Sequence, residues 1–382
     1  MIMKTLEYDI AVVGGGFAGI SAALSAAREK KNVVLIESLF SLGGLATNGL
    51  ISFYLPICDG RARQLMYSIP YELFLLSLSE GYEEKYPSHW LDYDGTYEEK
   101  INGRLECKFN PQLFSLLVEK LLIENGVHII YGATLSSVSL KNDLLKSIKV
   151  TTRTETIEIK ANAFVDCTGD ASLNNLCSVE IVETPITNKP AYWYYVTDKE
   201  GNKLINKGST DLLSFDEGNV VGTKGLDSEE VSNYMIDYHQ FVLKDFLFKG
   251  KEKAFHSLTT LSNIPELRMT RKIKSKQDVR YEDDHKYQKT SIGLFGDWTR
   301  PGPIWELPIG SLLNNKVKNL STAGRCIGVD NLQMWNIARV IPVCALSGEA
   351  CGVIASLINE QGDFSIEKVQ EILLTRKVPL HI

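Results

Sequence analysis

Near the start of the chain, the apolar residues follow a strand-like pattern, then a helix-like pattern, then a second strand-like pattern. Residues 8–13 form a short β-rich run, residues 20–31 are rich in alanine and serine as in a helix, and residues 32–36 form a second apolar run. Three glycines separate the first run from the helix, and Glu37 ends the second run. This order predicts strand, turn, helix and strand within about thirty residues, as in a βαβ unit.

Residues 41–109 are less regular. Ser68 followed by Pro70 predicts a helix that ends near residue 78. Residues 82–104 contain many aromatic and acidic residues without a clear period, and we expect a loop or insertion there.

A helix and several strands follow. Asn110 suits a helix N-cap, Pro111 suits the first helical position, and Gly126 suits the end of the same helix. Residues 127–131 then predict a strand. Three β-rich runs joined by turn-like residues predict an antiparallel meander on a parallel sheet. These runs are residues 135–140, 144–152 and 155–159, and residues 163–166 predict a further strand.

The βαβ rhythm is lost between about residues 180 and 310. This region contains aromatic β-rich residues at 191–196. It also contains one clear helix, because Asp227 and Glu230 resemble a capping box and apolar residues recur after them at helical spacing. We expect a second domain here.

The last part of the chain returns to the first pattern. Residues 320–324 predict a late strand of the first domain, and residues 342–357 predict a long helix. The first domain is therefore expected to be discontinuous along the sequence.

Composition and charge narrow the function classes. The 382 residues are 44% hydrophobic and 23% charged, which is typical of a globular protein. Lys+Arg total 41 and Asp+Glu total 47, and the resulting net charge of −6 argues against a nucleic-acid partner. No apolar run reaches the roughly 18 residues of a membrane span, and the first strand begins too early for a signal peptide, so we expect neither.

The cysteines predict a reducing compartment. Their number, seven, is odd and no two form a CxxC motif. We therefore expect reduced thiols, some of them buried as small apolar groups, in a cytoplasmic protein. No Cys/His cluster has zinc or iron–sulfur spacing, and we predict no metal site.

The first candidate for chemistry is the glycine turn. Gly14, Gly16 and Gly19 form a GxGxxG motif with a strand before it, a helix after it and an acid ending the next strand. Gly14 permits the tight turn, Gly16 leaves room for a pyrophosphate, and Gly19 lets the helix lie close to the strand. The helix N-terminus offers N–H groups to phosphates. Glu37 can accept hydrogen bonds from ribose hydroxyls and would repel the extra phosphate of NADP.

A second glycine pair distinguishes between dinucleotides. Gly43 and Gly44 lie in the segment SLGGLAT, shortly after Glu37. Glycines allow backbone to approach a bulky ligand, and flavoproteins use a loop at this place along FAD. The sequence therefore indicates FAD rather than NAD.

Four segments resemble the FAD-dependent oxidoreductase family, in the large class that includes glutathione reductase and the fumarate reductase flavoproteins. They are VVGGGFAGISAALSAAREKKNVVLIE with GGLAT, FVDCTGDASL, PELRMTRKI, and STAGRCIGVD with IARVIPVCALSGEACG. The first is common to many flavoproteins, whereas the other three in this order are more specific.

The resemblance implies an α/β fold. It would consist of a Rossmann-like FAD-binding domain with a parallel sheet and an antiparallel β-meander, plus a second α+β substrate or cap domain. We expect the FAD-binding domain in residues 1–180, with an insertion near 61–104, and in residues 315–382. The substrate domain is expected in residues 181–314.

The resemblance also implies the residues that hold the cofactor. The pyrophosphate would lie on the glycine turn, the AMP ribose at Glu37, and the flavin along the second glycine pair, while the helix near Ile341 would point its N-terminus at the pyrimidine ring. The residues expected to bind FAD are Gly14, Gly16, Phe17, Ala18, Gly19, Glu37, Ser38, Gly43, Gly44, Leu45, Ala46, Thr47, Ala133, Thr134, Cys167, Thr168, Gly169, Asp170, Gly324, Arg325, Val340 and Ile341.

Three arginines are the predicted substrate-binding and catalytic residues. Arg268 and Arg271 lie in a segment that resembles a paired-arginine segment of the family, although residues 274–276 stand where the family has a glycine. Arg339 lies just before the helix expected to face the flavin. An arginine fork binds a carboxylate bidentately, which a lysine cannot do. The basic run around Arg271 is equally compatible with a solvated face.

These features predict an FAD-dependent oxidoreductase that transfers a hydride between flavin N5 and a small polar substrate, with an anion favoured by the arginines. Because the sequence has no CxxC and no second GxGxxG motif, the flavin would be reduced by the substrate itself or by a separate donor. Two alternatives stay open: a flavoprotein with structural FAD or a role in tRNA modification, and an aromatic hydroxylase. The negative net charge counts against RNA, and the Gly169-Asp170 pair lies too early in the chain for the hydroxylase motif.

Overall fold

The structure is a computed structural model that describes residues 3–79, 82–185, 188, 191–207 and 222–382. Within these residues the strands are β1 (Met3–Val13), β2 (Val33–Ile36), β3 (Phe53–Tyr54), β4 (Tyr82–Glu84), β5 (Cys107–Phe109), β6 (His128–Ile130), β7 (Thr134–Lys141), β8 (Leu144–Thr151), β9 (Thr156–Asp166), β10 (Ile181–Glu183), β11 (Tyr192–Asp198), β12 (Gly201–Lys207), β13 (Ser257–Leu261), β14 (Arg271–Ile273), β15 (Ser291–Gly296), β16 (Ile304–Pro308) and β17 (Leu320–Thr322). The helices are α1 (Phe17–Arg28), α2 (Ser68–Ser79), α3 (Ser88–Leu91), α4 (Tyr97–Asn102), α5 (Pro111–Glu124), α6 (Ser172–Leu176), α7 (Ser228–Lys251), α8 (Leu332–Ala338), α9 (Ile341–Gln361) and α10 (Ile366–Thr375).

A seven-stranded sheet lies at the centre, in the order β6-β2-β1-β9-β8-β7, and β17 also pairs with β9. Strands β6, β2, β1, β9 and β17 run parallel to one another. Strands β7, β8 and β9 form an antiparallel meander. The predicted α/β fold, with a parallel sheet and an antiparallel meander, is confirmed.

Strand β9 differs from the prediction of two separate strands. It runs without interruption through residues 156–166, and β1 begins at Met3 rather than at residue 8. The two strands pair from Met3 with Thr156 to Val13 with Asp166. Paired backbone hydrogen bonds therefore keep the polar residues around Lys160 in strand, and this pairing overrides their weak β propensity.

Helices α1 and α9 form the main layer on one face of the sheet. A methyl group on Gly348 would lie 2.2 Å from the Ala18 carbonyl oxygen, and one on Gly352 would lie 2.5 Å from that of Ala22. The glycines thus allow the two helices to approach backbone to backbone. Contrary to the expectation that no apolar run is long enough, helix α9 could cross a membrane by its length and composition. However, 89% of its most apolar 18-residue stretch is buried inside the protein, as in a core helix.

The region between the glycine loop and α5 contains more regular structure than predicted. Helix α2 occupies the predicted place. Residues 82–104, expected to be loop, include a helix whose N-cap Thr96 forms a capping box with Glu99. The Thr-x-x-Glu spacing is the sequence signal that could have revealed this helix.

A second sheet, in the order β12-β11-β13, lies against α7. Asp227 caps α7, since its carboxylate accepts from the N–H groups of Glu229 and Glu230. The Tyr238 hydroxyl of α7 donates to the Trp193 carbonyl at 2.7 Å and accepts from the Ser262 N–H at 2.8 Å. These bonds fix the helix to the sheet and to the chain that follows β13.

The domain division into residues 1–180, 181–314 and 315–382 stays a prediction, and its residues 208–221 lie outside the described residues. Strands β15 and β16 share the main hydrophobic core with α9. The sheet of β11 shares a separate small core with α7. The middle range therefore contributes to both cores.

Candidate functional site

One cavity of about 500 Å³ lies at the carboxyl ends of β1, β2 and β9. In open α/β sheets this edge is the usual place for a ligand. The predicted site residues that line the cavity are Gly14, Gly16, Phe17, Ala18, Glu37, Ser38, Gly43, Gly44, Leu45, Ala46, Ala133, Thr134, Cys167, Thr168, Gly169, Asp170, Arg268, Gly324, Arg325, Arg339, Val340 and Ile341. Gly19, Thr47 and Arg271 lie outside the lining.

The three glycines of the turn meet different surroundings. A methyl group on Gly14, whose φ is 105°, would lie 2.4 Å from the Cys167 carbonyl oxygen, and one on Gly19 would lie 1.7 Å from the Gly14 carbonyl oxygen. A methyl group on Gly16 would meet nothing within 4 Å among the described residues. Gly14 and Gly19 thus serve close backbone contact, while Gly16 leaves open space at the cavity. This is the shape that a pyrophosphate requires.

Two long helices begin at the cavity without a side-chain cap. The N-caps are Gly16 for α1 and Val340 for α9, and in the described structure neither helix has a capping side chain or an acid in its first turn. The first N–H groups of each helix are therefore available, and the positive end of each helix dipole faces the cavity. Such helix ends favour an anion or developing negative charge.

Glu37 is held against the glycine turn. Its Oε2 accepts from the Gly15 N–H at 2.6 Å, and its Oε1 accepts from the Leu39 N–H at 2.8 Å and the Ser38 hydroxyl at 3.0 Å. The carboxylate is thus fixed at the end of β2, where it retains acceptor capacity for ribose hydroxyls.

The second glycine pair lies directly on the first turn. The Gly43 N–H donates to the Gly15 carbonyl at 2.8 Å, and a methyl group on Gly44 would lie 3.2 Å from the Gly16 Cα. Thr47 lies outside the lining because its hydroxyl donates to the Leu42 carbonyl at 2.5 Å and so closes the loop.

Cys167 and Cys344 line the cavity as neutral thiols. Burial raises the pKa of Cys344 to about 12 and that of Cys167 well above its ordinary value. All seven cysteines are free and buried. The interpretation of the cysteines as reduced, buried groups fits the structure.

Arg325 and Arg271 hold the wall of the cavity. Arg325 Nη1 donates to the Leu267 carbonyl at 2.6 Å. Arg271 Nε donates to the Asp170 carbonyl at 2.9 Å, and its Nη2 donates to the Ser172 hydroxyl at 3.4 Å. The guanidinium of Arg271 therefore braces residues 170–172 from behind the lining.

Arg339 and Arg268 both line the cavity but come from different elements of the structure. Arg339 ends α8, where its Nε and Nη2 donate to the Asn336 amide oxygen at 3.2 and 2.5 Å. Arg268 comes from the loop between β13 and β14, and it is buried. Its Nε has no hydrogen-bond partner in the described part of the chain. A buried donor of this kind favours a ligand that accepts a hydrogen bond.

An apolar wall was missed from the sequence. Phe53 lines the cavity and meets Trp193 edge to face, with ring centroids 5.6 Å apart. The alternating apolar residues 51, 53 and 55 are the pattern that could have indicated this wall. The lining residues not predicted are Val13, Gly15, Ile36, Leu39, Ile51, Phe53, Leu55, Leu135, Ser172, Ile264, Pro265, Leu267 and Cys344.

The sequence of the chain is similar to a protein family and to several known proteins. A sequence model described as FAD dependent oxidoreductase matches residues 9–190 and 182–373. The chain is 28% identical over 162 residues to the tRNA uridine 5-carboxymethylaminomethyl modification enzyme of Treponema pallidum, covering 39% of this chain and 26% of that enzyme. It is 25% identical over 137 residues to the thiamine thiazole synthase of Solidesulfovibrio magneticus, covering 35% of this chain and 48% of that protein. The chain thus spans less than half the length of these two relatives.

Among solved structures, a geranylgeranyl bacteriochlorophyll reductase-like protein of Thermoplasma acidophilum is similar over 99% of this chain and 85% of its own. The two are 15% identical, with a TM-score of 0.45.

Proposed function

The chain belongs to the FAD dependent oxidoreductase family, and we propose that it transfers a hydride between FAD and a small anionic substrate held by Arg268 and Arg339. One observation carries the proposal. The open glycine turn, two uncapped helix N-termini and these two guanidinium groups meet in a single cavity.

The residues present fit the dinucleotide part of FAD. The open space at Gly16 and the first N–H groups of α1 suit a pyrophosphate, and the fixed carboxylate of Glu37 suits a ribose. The 22 residues predicted from the sequence to bind FAD, including Gly19 and Thr47 as supports of the two turns, remain the proposed cofactor set.

The bound flavin would supply the hydride chemistry, and the protein would supply orientation and charge. Arg268 and Arg339 bind and orient the anionic group of the substrate. The uncapped N-terminus of α9 stabilises negative charge placed beside Val340 and Ile341. The apolar wall around Phe53 excludes water, which strengthens both electrostatic contacts.

The electron partner is proposed to be a second small molecule or a separate protein. The neutral, buried cysteines at the cavity do not supply thiolates. The sequence contains no second GxGxxG motif for a nicotinamide cofactor. Free buried cysteines also favour a cytoplasmic location.

The tRNA-modifying relative supports a shared cofactor fold more than a shared substrate. The match covers 26% of that enzyme, and the net charge of this chain is −6. A role in tRNA modification and aromatic hydroxylation remain the alternatives to the proposal.

Spectroscopy tests the proposal. Purified protein should be yellow, should release FAD in acid, and should lose its flavin colour under anaerobic conditions with a reducing substrate that carries a carboxylate. The panel is 2-hydroxy acids and amino acids, each paired with the matching neutral amide or alcohol. We expect the charged member to reduce the flavin at least tenfold faster.

Two results would contradict the proposal. A colourless protein that cannot be reconstituted would show that the cavity does not take FAD. Equal reduction rates for charged and neutral members of every reactive pair would show that the arginines do not select an anion.

A further inference from the structure

The side chains of Glu266 and Arg268 lie next to each other inside the protein, beside the cavity. The distance between Glu266 Oε2 and Arg268 Nη2 is 3.5 Å, and the exposed fractions of the two side chains are 1% and 9%. Both residues lie in the loop between β13 and β14. Arg268 lines the cavity, whereas Glu266 is not among the lining residues.

Each member of the pair has an unused polar atom. Glu266 Oε1 and Arg268 Nε have no hydrogen-bond partner within the described ranges. A guanidinium has five N–H donors, and Glu266 engages it only through Nη2. Arg268 therefore keeps donors for a ligand while Glu266 restrains one side of its fork.

The charge state of the pair depends on its surroundings. Burial raises the pKa of Glu266 to about 8, against the opposing effects of Arg268 and the Trp193 backbone N–H. Burial lowers the pKa of Arg268, while Glu266 and Tyr234 oppose this and Arg325 adds to it. Tyr234 and Tyr238 of α7 also face Glu266, and burial raises the pKa of both phenols, so they stay neutral.

Ionisation of Glu266 and binding of an anion at Arg268 oppose each other. Below about pH 8 Glu266 is protonated, so the charge of Arg268 is not cancelled within the pair. Above about pH 8 Glu266 ionises and neutralises Arg268. An anion at Arg268 opposes that ionisation, because two negative charges would then share one guanidinium.

We propose that Glu266 is a positioning residue of the substrate site, which holds Arg268 toward the cavity and retains or takes up one proton when an anion binds. The inference rests on the proposed function, because it requires that Arg268 bind the substrate anion. When the anion enters from solution, a proton from solvent joins the Glu266 carboxylate in those molecules in which it is ionised. No covalent bond to carbon forms or breaks.

Calorimetry on the FAD-loaded protein tests this inference. The probe is benzoate, which offers a carboxylate to Arg268 and a ring to the apolar wall, and benzamide is the neutral control. Titrations at pH 8.5 in buffers of different ionisation enthalpy measure proton uptake directly. We expect uptake of up to one proton with benzoate and none with benzamide. The dissociation constant of benzoate should be constant below about pH 7 and should rise above pH 8, by at most tenfold per pH unit.

Matched variants separate positioning from structure. Glu266→Gln keeps the shape of the protonated acid, so it should bind benzoate within threefold of wild type at pH 7, with no pH dependence and no proton uptake. The control is Glu183→Gln on β10, where an exposed glutamate lies 3.6 Å from Lys224 and away from the cavity. It should keep the wild-type profile.

Failure of the inference differs from failure of the proposed function. Absence of proton uptake in wild type at pH 8.5, which requires no variant to fold, overturns the role of Glu266. So does a Glu266→Gln protein that keeps the wild-type pH profile. If Arg268→Lys and Arg268→Gln bind benzoate as wild type does, or if wild type does not prefer benzoate to benzamide, the anion site itself is overturned.

Discussion

The glycine turn and the loop between β13 and β14 line the same cavity in opposite ways. The turn presents the open space at Gly16 and the uncapped N-terminus of α1, and the nearby Glu37 carboxylate is fixed by the N–H groups of Gly15 and Leu39. The loop contains Glu266 and Arg268, which are buried with atoms left unpaired. We therefore expect the first region to bind FAD through the shape of its backbone. The second contains buried charged groups with free hydrogen-bonding atoms, as expected of a site for a specific ligand.

The comparison predicts its largest effect at the glycines. Gly19→Ala places a methyl group on the Gly14 carbonyl oxygen, and we expect the free energy of unfolding of the apoprotein to fall by about 3 kcal/mol or more. Gly16→Val points into open space, so the same quantity should change by about 1 kcal/mol at most. FAD affinity of Gly16→Val should nevertheless fall more than a hundredfold, equal to about 2.7 kcal/mol.

Chemical denaturation and flavin titration measure the two quantities separately. Tight FAD binding by Gly16→Val would show that the pyrophosphate does not lie at the turn. An unchanged stability of Gly19→Ala would show that α1 can move away from β1 at little cost.

In contrast to substitutions at the glycines, substitutions of the arginines at the cavity should affect catalysis rather than cofactor binding. Arg339→Lys keeps a positive charge but loses the planar fork, so we expect flavin reduction by the substrate to slow more than tenfold, equal to about 1.4 kcal/mol, with FAD retained. Arg271→Lys should have a smaller effect because Arg271 braces the wall from outside. Stopped-flow reduction measures both rates.

Each alternative outcome has a clear meaning. A wild-type rate in Arg339→Lys would make Arg339 a structural residue, and loss of FAD would assign it to the cofactor site. A larger effect at Arg271 than at Arg339 would reverse the assignment of the two arginines.

The smallest expected effect concerns the attachment of α7. Tyr238→Phe removes the acceptor of the buried Ser262 N–H and the donor to the Trp193 carbonyl. We expect the free energy of unfolding to fall by about 1–2 kcal/mol, with FAD affinity unchanged. Thermal unfolding with and without FAD checks this. If FAD affinity fell together with stability, the sheet of β12, β11 and β13 would contribute to FAD binding.

Interactions of short range explain what could be predicted. The β1–α1–β2 unit, the position of the glycine turn and the N-cap at Asn110 depend on residues within a few positions of one another. The continuity of β9 could not be predicted in this way, because it comes from pairing with β1 about 150 residues away along the chain. The Thr96 capping box was local and was nevertheless missed.

The sequence by itself determined the βαβ unit and the glycine turn, since both follow from local backbone requirements, and its resemblance to the family implied most of the residues that line the cavity. Only the tertiary structure decided which charges act at the cavity. Arg268 and Arg271 are three positions apart, yet one reaches the cavity and the other binds Asp170 and Ser172 from behind. Strand direction and distant partners set that difference. The burial of Glu266 beside Arg268 likewise depends on α7 and β11, so no local pattern contains it.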